Sequence, residues 1–164
     1  MSRLLRHLFA RPARRWFPDD RLQRIGAAIA RDEARHAGEL CFAVESGLPW
    51  AALRAGQTAR ERASDVFSRL RVWDTEGNTG VLIYLLLADH RIEILADRGL
   101  DGRVGAEQWR GVCQQMEERM RAGDPEAAVL AGIAATGDLL AAQVPRTAAT
   151  DNPDELPDTP TLLD

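Results

Sequence analysis

Residues Val72 to Gly102 read VWDTEGNTGVLIYLLLADHRIEILADRGLDG, and the other predicted elements are arranged around them. Its middle, from Gly80 to Ala88, is an unbroken apolar run, which Asp89 and His90 interrupt before polar and apolar residues begin to alternate over 91–96. A strand that is apolar on both sides is covered on both faces of its sheet, whereas an alternating strand has one wet face. The stretch therefore predicts a buried strand, a two-residue hairpin and an edge strand.

Hydrophobic periodicity on either side of the hairpin predicts the remaining elements. In chain order they are a helix from Asp19 to about His36, a strand over Glu39–Glu45, a crossover helix from Trp50 to about Leu70, a helix over Gly105 to Arg121, and a last helix from Pro125 that stops at Pro145. A crossover helix makes the strands that it joins parallel. The chain is thus predicted to be α/β, a small αβα sandwich with a mixed sheet of three to four strands covered by helices on both faces.

The charges divide the chain into three parts. Residues 1–17 hold five Arg and no acid, whereas residues 146–164 hold five acids and one Arg. We therefore expect a basic, aromatic N-terminal arm over 1–18, one α/β domain over 19–145 and a disordered acidic tail over 146–164. The domain itself is mildly acidic, which argues against nucleic acid as a partner.

Two interpretations of the arm remain open. Its mixture of Arg with Leu and Phe suits a short amphipathic helix on an anionic membrane surface. Alternatively, because Pro12 ends any helix, the arm is flexible and only its aromatic end, Trp16 and Phe17, docks on the domain. The expected partner of the arm is accordingly an anionic membrane surface or another protein.

The sequence predicts a cytoplasmic protein, peripheral at the inner membrane face if the arm binds lipid. Arg6, His7 and Arg11 interrupt the apolar residues near the N-terminus, which a secretory signal does not allow. Inspection finds no run near the roughly 20 apolar residues of a membrane span. Cys41 and Cys113 lie far apart in apolar patterns, as reduced packing residues do.

The central hairpin resembles the TPM domain, the family of a thylakoid-lumen acid phosphatase, a photosystem II repair factor and an auxiliary protein of acetylcholine receptors. NTGVLIYLLLADHRIEI is similar to the family's NNG, apolar strand, polar turn and second strand, and GLDG is similar to its GLEG. The resemblance runs from about Arg21 to Pro145, and WDTE, NTG and ADRG look like a compact bacterial branch. The matching positions are Asn78, Gly80, Gly99, Leu100 and Gly102, and those that depart from the pattern are Thr79, Asp97, Arg98 and Asp101.

The resemblance implies an αβα sandwich, with a divalent-ion or phosphate site near these motifs in some members. Independently, oxygen-bearing side chains flank the hairpin: Asp74, Glu76 and Asn78 lead in, and Asp97 and Asp101 lead out. Antiparallel pairing brings those two ends together, and converging oxygens suit Ca²⁺ or Mg²⁺. The alternative is that these residues only form turns and cap the next helix.

Two further pairs of residues are candidates for binding. Arg98 and Arg103 precede the predicted helix at Gly105, whose N-terminus favours an anion, although Arg98 has acids nearby with which it could pair instead. Glu33 and His36 have the i, i+3 spacing of carboxylate and histidine metal ligands. A histidine in the last turn of a helix is equally explained by the helix dipole.

These features predict a non-catalytic interaction domain, with a divalent cation at the motif loops as a further expectation. The alternative is a weak metal-dependent acid phosphatase that hydrolyses phosphomonoesters at the same loops. No histidine has a serine or cysteine partner in view, so the sequence gives no support for a nucleophilic triad.

Overall fold

The computed structural model describes residues 2–147 and 155–163. Within these ranges the strands are β1 (Glu39–Glu45), β2 (Gly80–Leu86), β3 (Arg91–Ala96) and β4 (Thr161–Leu163). The α-helices are α1 (Arg3–Leu8), α2 (Ala13–Trp16), α3 (Asp19–Glu33), α4 (Trp50–Arg54), α5 (Ala59–Arg69), α6 (Ala106–Arg121) and α7 (Pro125–Gln143). The sheet order is β3-β2-β1-β4, which confirms the predicted α/β class and mixed sheet.

The central strand is β2, as predicted. It pairs in parallel with β1, where Glu39 lies opposite Gly80, and antiparallel with β3, where Ile83 lies opposite Ile94. Every residue of β1 and β2 is buried. The prediction of a two-residue hairpin is wrong, because β2 ends at Leu86 and a 3₁₀ turn over Leu87–Asp89 leads to β3.

Helices cover both faces of the sheet, and alternate residues of each strand point into two separate cores. One core lies under α3, α6 and α7 and includes Leu40, Phe42, Val44, Val81, Ile83 and Leu85. The other lies under α5 and includes Cys41, Ala43, Leu82, Tyr84 and Leu86. This confirms the small αβα sandwich.

The predicted helix bounds are wrong at two places. The crossover helix is two helices, because Gly56 adopts φ +72° after α4 and Thr58 starts α5 with a reciprocal capping box to Glu61. The first long helix ends at Glu33, one turn before the predicted end at His36. Neither change alters the sheet, since both breaks fall in connections.

The helix α7 is long and apolar enough to cross a membrane by length and composition, although Glu126 and Asp138 interrupt its apolar residues. Its buried residues pack on α3 and α6, and the space that Gly132 leaves is filled by Met116 of α6. The position of α7 in the core accounts for its composition, because a helix that contacts neighbours on several sides is apolar on several sides.

The acidic tail is not disordered where the structure describes it, so that prediction is wrong for residues 155–163. Strand β4 pairs in parallel with β1, with Thr161 opposite Ala43, and Leu156 is buried in the core under α5. The Leu156 N–H donates to Oε2 of Glu39 at 3.3 Å. A three-residue strand held by its neighbours has too little periodicity to be read from sequence. The expectation for residues 148–154 lies outside the described residues.

Deleting residues 155–164 should therefore destabilise the protein. The deletion uncovers the edge of β1 and removes the buried Leu156 side chain, a loss on the order of 2 to 5 kcal/mol. For a chain of this size we expect the thermal midpoint to fall by roughly 5 to 15 °C, measured by circular dichroism. The single change Leu156→Ala should account for part of that fall. An unchanged midpoint in both variants would contradict the docking of β4.

Candidate functional site

The loop before β2 and the loop after β3 lie side by side and are joined by hydrogen bonds. The Gly99 N–H donates to the Asn78 carbonyl at 2.8 Å, and the Asp97 N–H donates to the Gly80 carbonyl at 2.9 Å. Nε of Arg98 donates to Oδ1 of Asn78 at 3.0 Å. The two motif segments are thus one structural unit, at the end of the sheet opposite the hairpin turn.

The motif glycines are required because backbones approach closely in this unit. A Cβ atom on Gly80 would lie 1.9 Å from the Val72 carbonyl oxygen. A Cβ on Gly99 would lie 2.5 Å from the carbonyl oxygens of Gly77 and Asn78. Asn78 adopts φ +51°, a left-handed conformation that asparagine tolerates better than most residues. Packing alone therefore explains the N-x-G and first GLDG glycines.

The oxygen-bearing residues that lead into the hairpin bond to partners other than the acids that lead out of it. The Asp74 carboxylate pairs with Arg71 at 2.5 Å. Glu76 contributes its backbone N–H, which donates to both carboxylate oxygens of Glu155 in the tail at 3.0 Å. The Asn78 amide oxygen is occupied by Arg98. These contacts fit the turn-forming alternative.

Beyond β3, Asp97 caps a 3₁₀ turn over Arg98–Leu100 and Asp101 ends it. Oδ1 of Asp97 accepts from the Arg98 N–H at 2.8 Å, whereas its buried Oδ2 accepts no hydrogen bond from the described residues. Over residues 2–147 and 155–163, no group of three or more His, Cys, Asp or Glu side chains is placed to hold a metal ion.

The two candidate anion-binding arginines are tied to other parts of the chain. The Arg98 guanidinium contacts Asn78 rather than the acids with which it was expected to pair. Arg103 donates to the carbonyl oxygen of Gln143 at the end of α7, at 3.2 Å. At the start of α6, the Gly105 N–H is already satisfied by Oε1 of Gln108. Both arginines therefore hold segments together.

Comparison with known proteins gives the family and a structural neighbour. A family model for the TPM domain matches residues 14–139. The chain belongs to the TPM domain family. The NMR structure of the BA42 protein from the psychrophilic bacterium Bizionia argentinensis is similar to this TPM domain, with a TM-score of 0.76 and 26% identity over 90% of this chain and 96% of that one. No curated protein matches the chain.

Glu33 and His36 of the TPM domain do not act as a pair. Oε1 of Glu33 accepts from the Leu40 N–H at 2.6 Å. The fully buried His36 lies with its Nε2 3.2 Å from Oδ2 of Asp32. A close approach of α3 to α7 explains the position of Asp32, whose carboxylate occupies the space where Gly137 has no side chain.

Glu33 belongs to a different cluster, which the sequence did not reveal. Burial raises the pKa of the Glu33 carboxyl to about 9, and the carboxylates of Glu39 and Asp158 add to that effect, although the bond from Leu40 opposes it. The three acids come from α3, β1 and the tail. Nothing in the sequence places Asp158 near α3, because that contact depends on the docking of β4.

Glu33→Gln should stabilise the protein above about pH 5. The folded state keeps Glu33 protonated up to about pH 9 while the unfolded chain ionises near its ordinary value of 4.5, so Glu33 lowers stability as pH rises through this window. Gln keeps the acceptor for Leu40 and does not ionise. The gain in thermal midpoint should be absent near pH 4 and several degrees at pH 8. The exposed Glu107→Gln is the control, and an equal effect there would contradict the buried-acid account.

A buried ion pair on the opposite face of the sheet was also missed. The Arg62 guanidinium of α5 makes two bonds to the carboxylate of Glu45, at 2.9 and 2.7 Å, and the Tyr84 hydroxyl donates to the same carboxylate at 2.6 Å. Burial raises the pKa of Tyr84 well above its ordinary range. The charges of Arg62 and Glu45 compensate each other, and the network orients α5 on the sheet.

The N-terminal arm is folded onto the hairpin turn through Asp89. Arg3 donates its Nε–H to Oδ2 of Asp89 at 3.0 Å, and Nη2 of Arg6 donates to Oδ1 at 3.3 Å. Nε2 of the buried His7 lies 3.0 Å from Oδ1 but makes no hydrogen bond to it, so this contact is electrostatic. On its other side, Nδ1 of His7 accepts the Leu48 N–H at 2.9 Å.

Because the polar side of α1 faces the domain, its apolar side faces solvent. At about 3.6 residues per turn, positions 3, 6 and 7 share one side of the helix and positions 4, 5 and 8 share the other. The exposed fractions are 42% for Leu4, 41% for Leu5, 64% for Leu8 and 71% for Phe9. We call these four residues the α1 apolar face. It is the reverse of an ordinary surface helix, which buries its apolar side.

The aromatic end of the arm docks as one of the two interpretations predicts. Phe17 is fully buried and meets the edge of Phe42 on β1 with ring centroids 5.8 Å apart. Trp16 stays 36% exposed. Docking extends well beyond this end, since α1 is also held on the domain, so the arm is not the flexible segment that this interpretation assumed.

Gly80→Ala tests the packing role of the motif glycines. The new Cβ would overlap the Val72 carbonyl, so β2 or the preceding loop must shift, and we expect a loss of stability on the order of 2 kcal/mol or more. Gly111→Ala is the matched control, because Gly111 lies in α6 with open space around it and alanine should add up to about 1 kcal/mol. Denaturant midpoints measure both. Equal stability of Gly80→Ala and the parent protein would contradict the close approach.

Proposed function

We propose that this TPM domain is a non-catalytic interaction domain that binds an anionic membrane surface through the α1 apolar face. The observation that carries the proposal is the reversed orientation of α1. The polar side chains of Arg3, Arg6 and His7 contact Asp89, whereas the side chains of the α1 apolar face are exposed to solvent. A folded domain exposes such a contiguous apolar surface at a cost unless another surface covers it.

The charges around the α1 apolar face favour an anionic surface over an apolar or basic one. Residues 1–17 contain no acid. Arg14 pairs with Asp19 at 3.5 Å, whereas Arg11 and Arg15 make no ion pair within the described residues. Each arginine near an anionic leaflet contributes about 1 kcal/mol, and inserted leucine and phenylalanine side chains add apolar burial. The protein would then be cytoplasmic and peripheral at the inner membrane face.

Co-sedimentation with vesicles tests this proposal. The parent protein should bind phosphatidylserine vesicles, release from them as salt is raised, and bind phosphatidylcholine vesicles weakly. The double change Leu8→Ser with Phe9→Ser should lower the affinity about tenfold or more, since it removes the two most exposed side chains of the face.

The matched control is Trp50→Ser, which removes another exposed hydrophobic side chain, 56% exposed, from α4. It should leave vesicle binding unchanged. No binding by the parent protein, or equal loss in the control, would refute the membrane proposal and leave a protein partner for the α1 apolar face.

A second candidate function is binding of Ca²⁺ or Mg²⁺ at the motif loops. One observation favours it, the buried Oδ2 atom of Asp97, which makes no hydrogen bond with any described residue. Carboxylate oxygens with backbone carbonyls are suitable ligands for both ions. The arrangement favours it less than the membrane proposal, because Asp74 is paired with Arg71 and the Arg98 guanidinium lies in the same loops.

Calorimetric titration with CaCl₂ and MgCl₂ decides the second candidate. Binding that Asp97→Asn abolishes and Asp74→Asn leaves intact would support a cation at Asp97. Heats that neither change affects would exclude it. In the same samples, metal-dependent hydrolysis of p-nitrophenyl phosphate that Asp97→Asn abolishes would support the alternative of a weak acid phosphatase.

A further inference from the structure

A groove of about 490 Å³ lies between the N-terminal arm, the start of α5 and the hairpin turn. Four arginines from three separate segments line it: Arg3, Arg6, Arg60 and Arg91. It also contains Asp89 and Glu93, with Thr58 and Ala59 at the start of α5. We call this feature the arginine groove. It lies at the opposite end of β2 and β3 from the motif loops.

The two acids do not neutralise the arginine groove. Asp89 is shared among Arg3, Arg6 and His7. Burial acts to raise the pKa of Asp89, but the hydrogen bond from Arg3 and the electrostatic contacts with His7 and Arg3 outweigh burial, and the pKa is lowered. Glu93 lies 3.6 Å from Arg60. Four guanidinium groups against two carboxylates leave an excess of positive charge facing one cavity.

The guanidinium groups keep donors available. Each has five N–H groups. Arg3 donates one N–H to Asp89 and another to the Gln57 carbonyl at 2.7 Å, and these two bonds fix its position. Arg60 donates to the Ile94 carbonyl at 2.6 Å. The exposed Arg91 side chain makes no hydrogen bond or ion pair with any described residue.

The start of α5 adds to the positive potential of the groove. The capping box uses the N–H groups of Thr58 and Glu61, whereas the N–H groups between them, of Ala59 and Arg60, belong to the first turn, which has no intrahelical acceptors. The positive end of the helix dipole points the same way. Arginine forks and helix N-terminal amides both favour phosphate oxygens.

We propose that the arginine groove binds a phosphomonoester group, either on a soluble phosphate ester or on a lipid headgroup. Asp89 and the Gln57 carbonyl hold Arg3 in place, and Arg60 of α5 and Arg91 of β3 supply further donors. A phosphomonoester, with two negative charges near neutral pH, matches the excess charge better than a diester does. The proposal does not depend on the membrane proposal, because a soluble ester tests the groove alone.

Titration with glycerol 3-phosphate, followed by the Nε–H signals of the arginines in NMR spectra, tests the soluble source. We expect the Arg60 and Arg91 signals to shift, and Arg91→Gln to weaken binding about tenfold. Arg69→Gln removes the same charge from an exposed position of α5 outside the groove and should leave the affinity within about twofold. Glycerol without phosphate should cause no shift.

Vesicles test the lipid source. Phosphatidic acid carries a phosphomonoester and phosphatidylserine a phosphodiester, so at matched surface charge the parent protein should prefer phosphatidic acid, and Arg91→Gln should abolish the preference. The preference alone assigns a lipid headgroup, and binding of glycerol 3-phosphate alone assigns a soluble ester. If neither is observed, or if Arg69→Gln has the same effect as Arg91→Gln, the proposal is wrong.

The two proposals fail independently. The Leu8→Ser and Phe9→Ser double variant should lose its binding to phosphatidylserine vesicles but keep the NMR shifts caused by glycerol 3-phosphate. Conversely, Arg91→Gln should keep most of its binding to phosphatidylserine vesicles, because the α1 apolar face is unchanged.

Discussion

The complete burial of β1 and β2 is the constraint on which the rest of the structure depends. Both strands present apolar side chains to two cores at once, so helices must cover both faces of the sheet. On one face α3, α6 and α7 do so, and on the other α5, aligned by the buried Arg62 and Glu45 pair. Since β3 protects one side of β2, the open edge falls on β1, where β4 from the tail covers it.

This constraint also accounts for the family motifs. The loop before β2 must enter a fully covered strand beside the end of β3, and the close packing there admits no Cβ at Gly80 or Gly99. Asn78 then bridges to Arg98. The motif thus has a structural explanation that requires no ligand. A ligand of the motif loops would have to bind atoms that are not already hydrogen-bonded there, such as Oδ2 of Asp97.

Elements that depend on neighbouring residues could be predicted from the sequence, whereas contacts between residues far apart in the chain could not. Three local signals predicted their elements: the apolar run of β2, the alternation in β3 and Pro125 at the start of α7. The docking of β4, the carboxyl cluster of Glu33 with Asp158 and the anchoring of α1 by Asp89 join residues far apart in sequence.

The candidate site shows the same division. Proximity of Asn78 to Asp97 followed from the pairing of the hairpin and could be predicted. The actual partners of Asp74, Arg98 and Arg103 depend on side-chain directions and on the end of α7, which periodicity does not give. The arginine groove could not be predicted either, because Arg3, Arg60 and Arg91 meet only after the arm has folded back.

Both proposals require that α1 is a fixed part of the domain with its polar side inward. The imidazole of His7 reports this directly, because the Leu48 N–H donates to Nδ1 and Nε2 faces Asp89. The ¹⁵N NMR spectrum of His7 near neutral pH should show an acceptor Nδ1, a protonated Nε2 and a coupling between Nδ1 and the Leu48 amide nitrogen. An imidazole that averages between tautomers, with a rapidly exchanging Leu48 amide, would contradict the anchored arm.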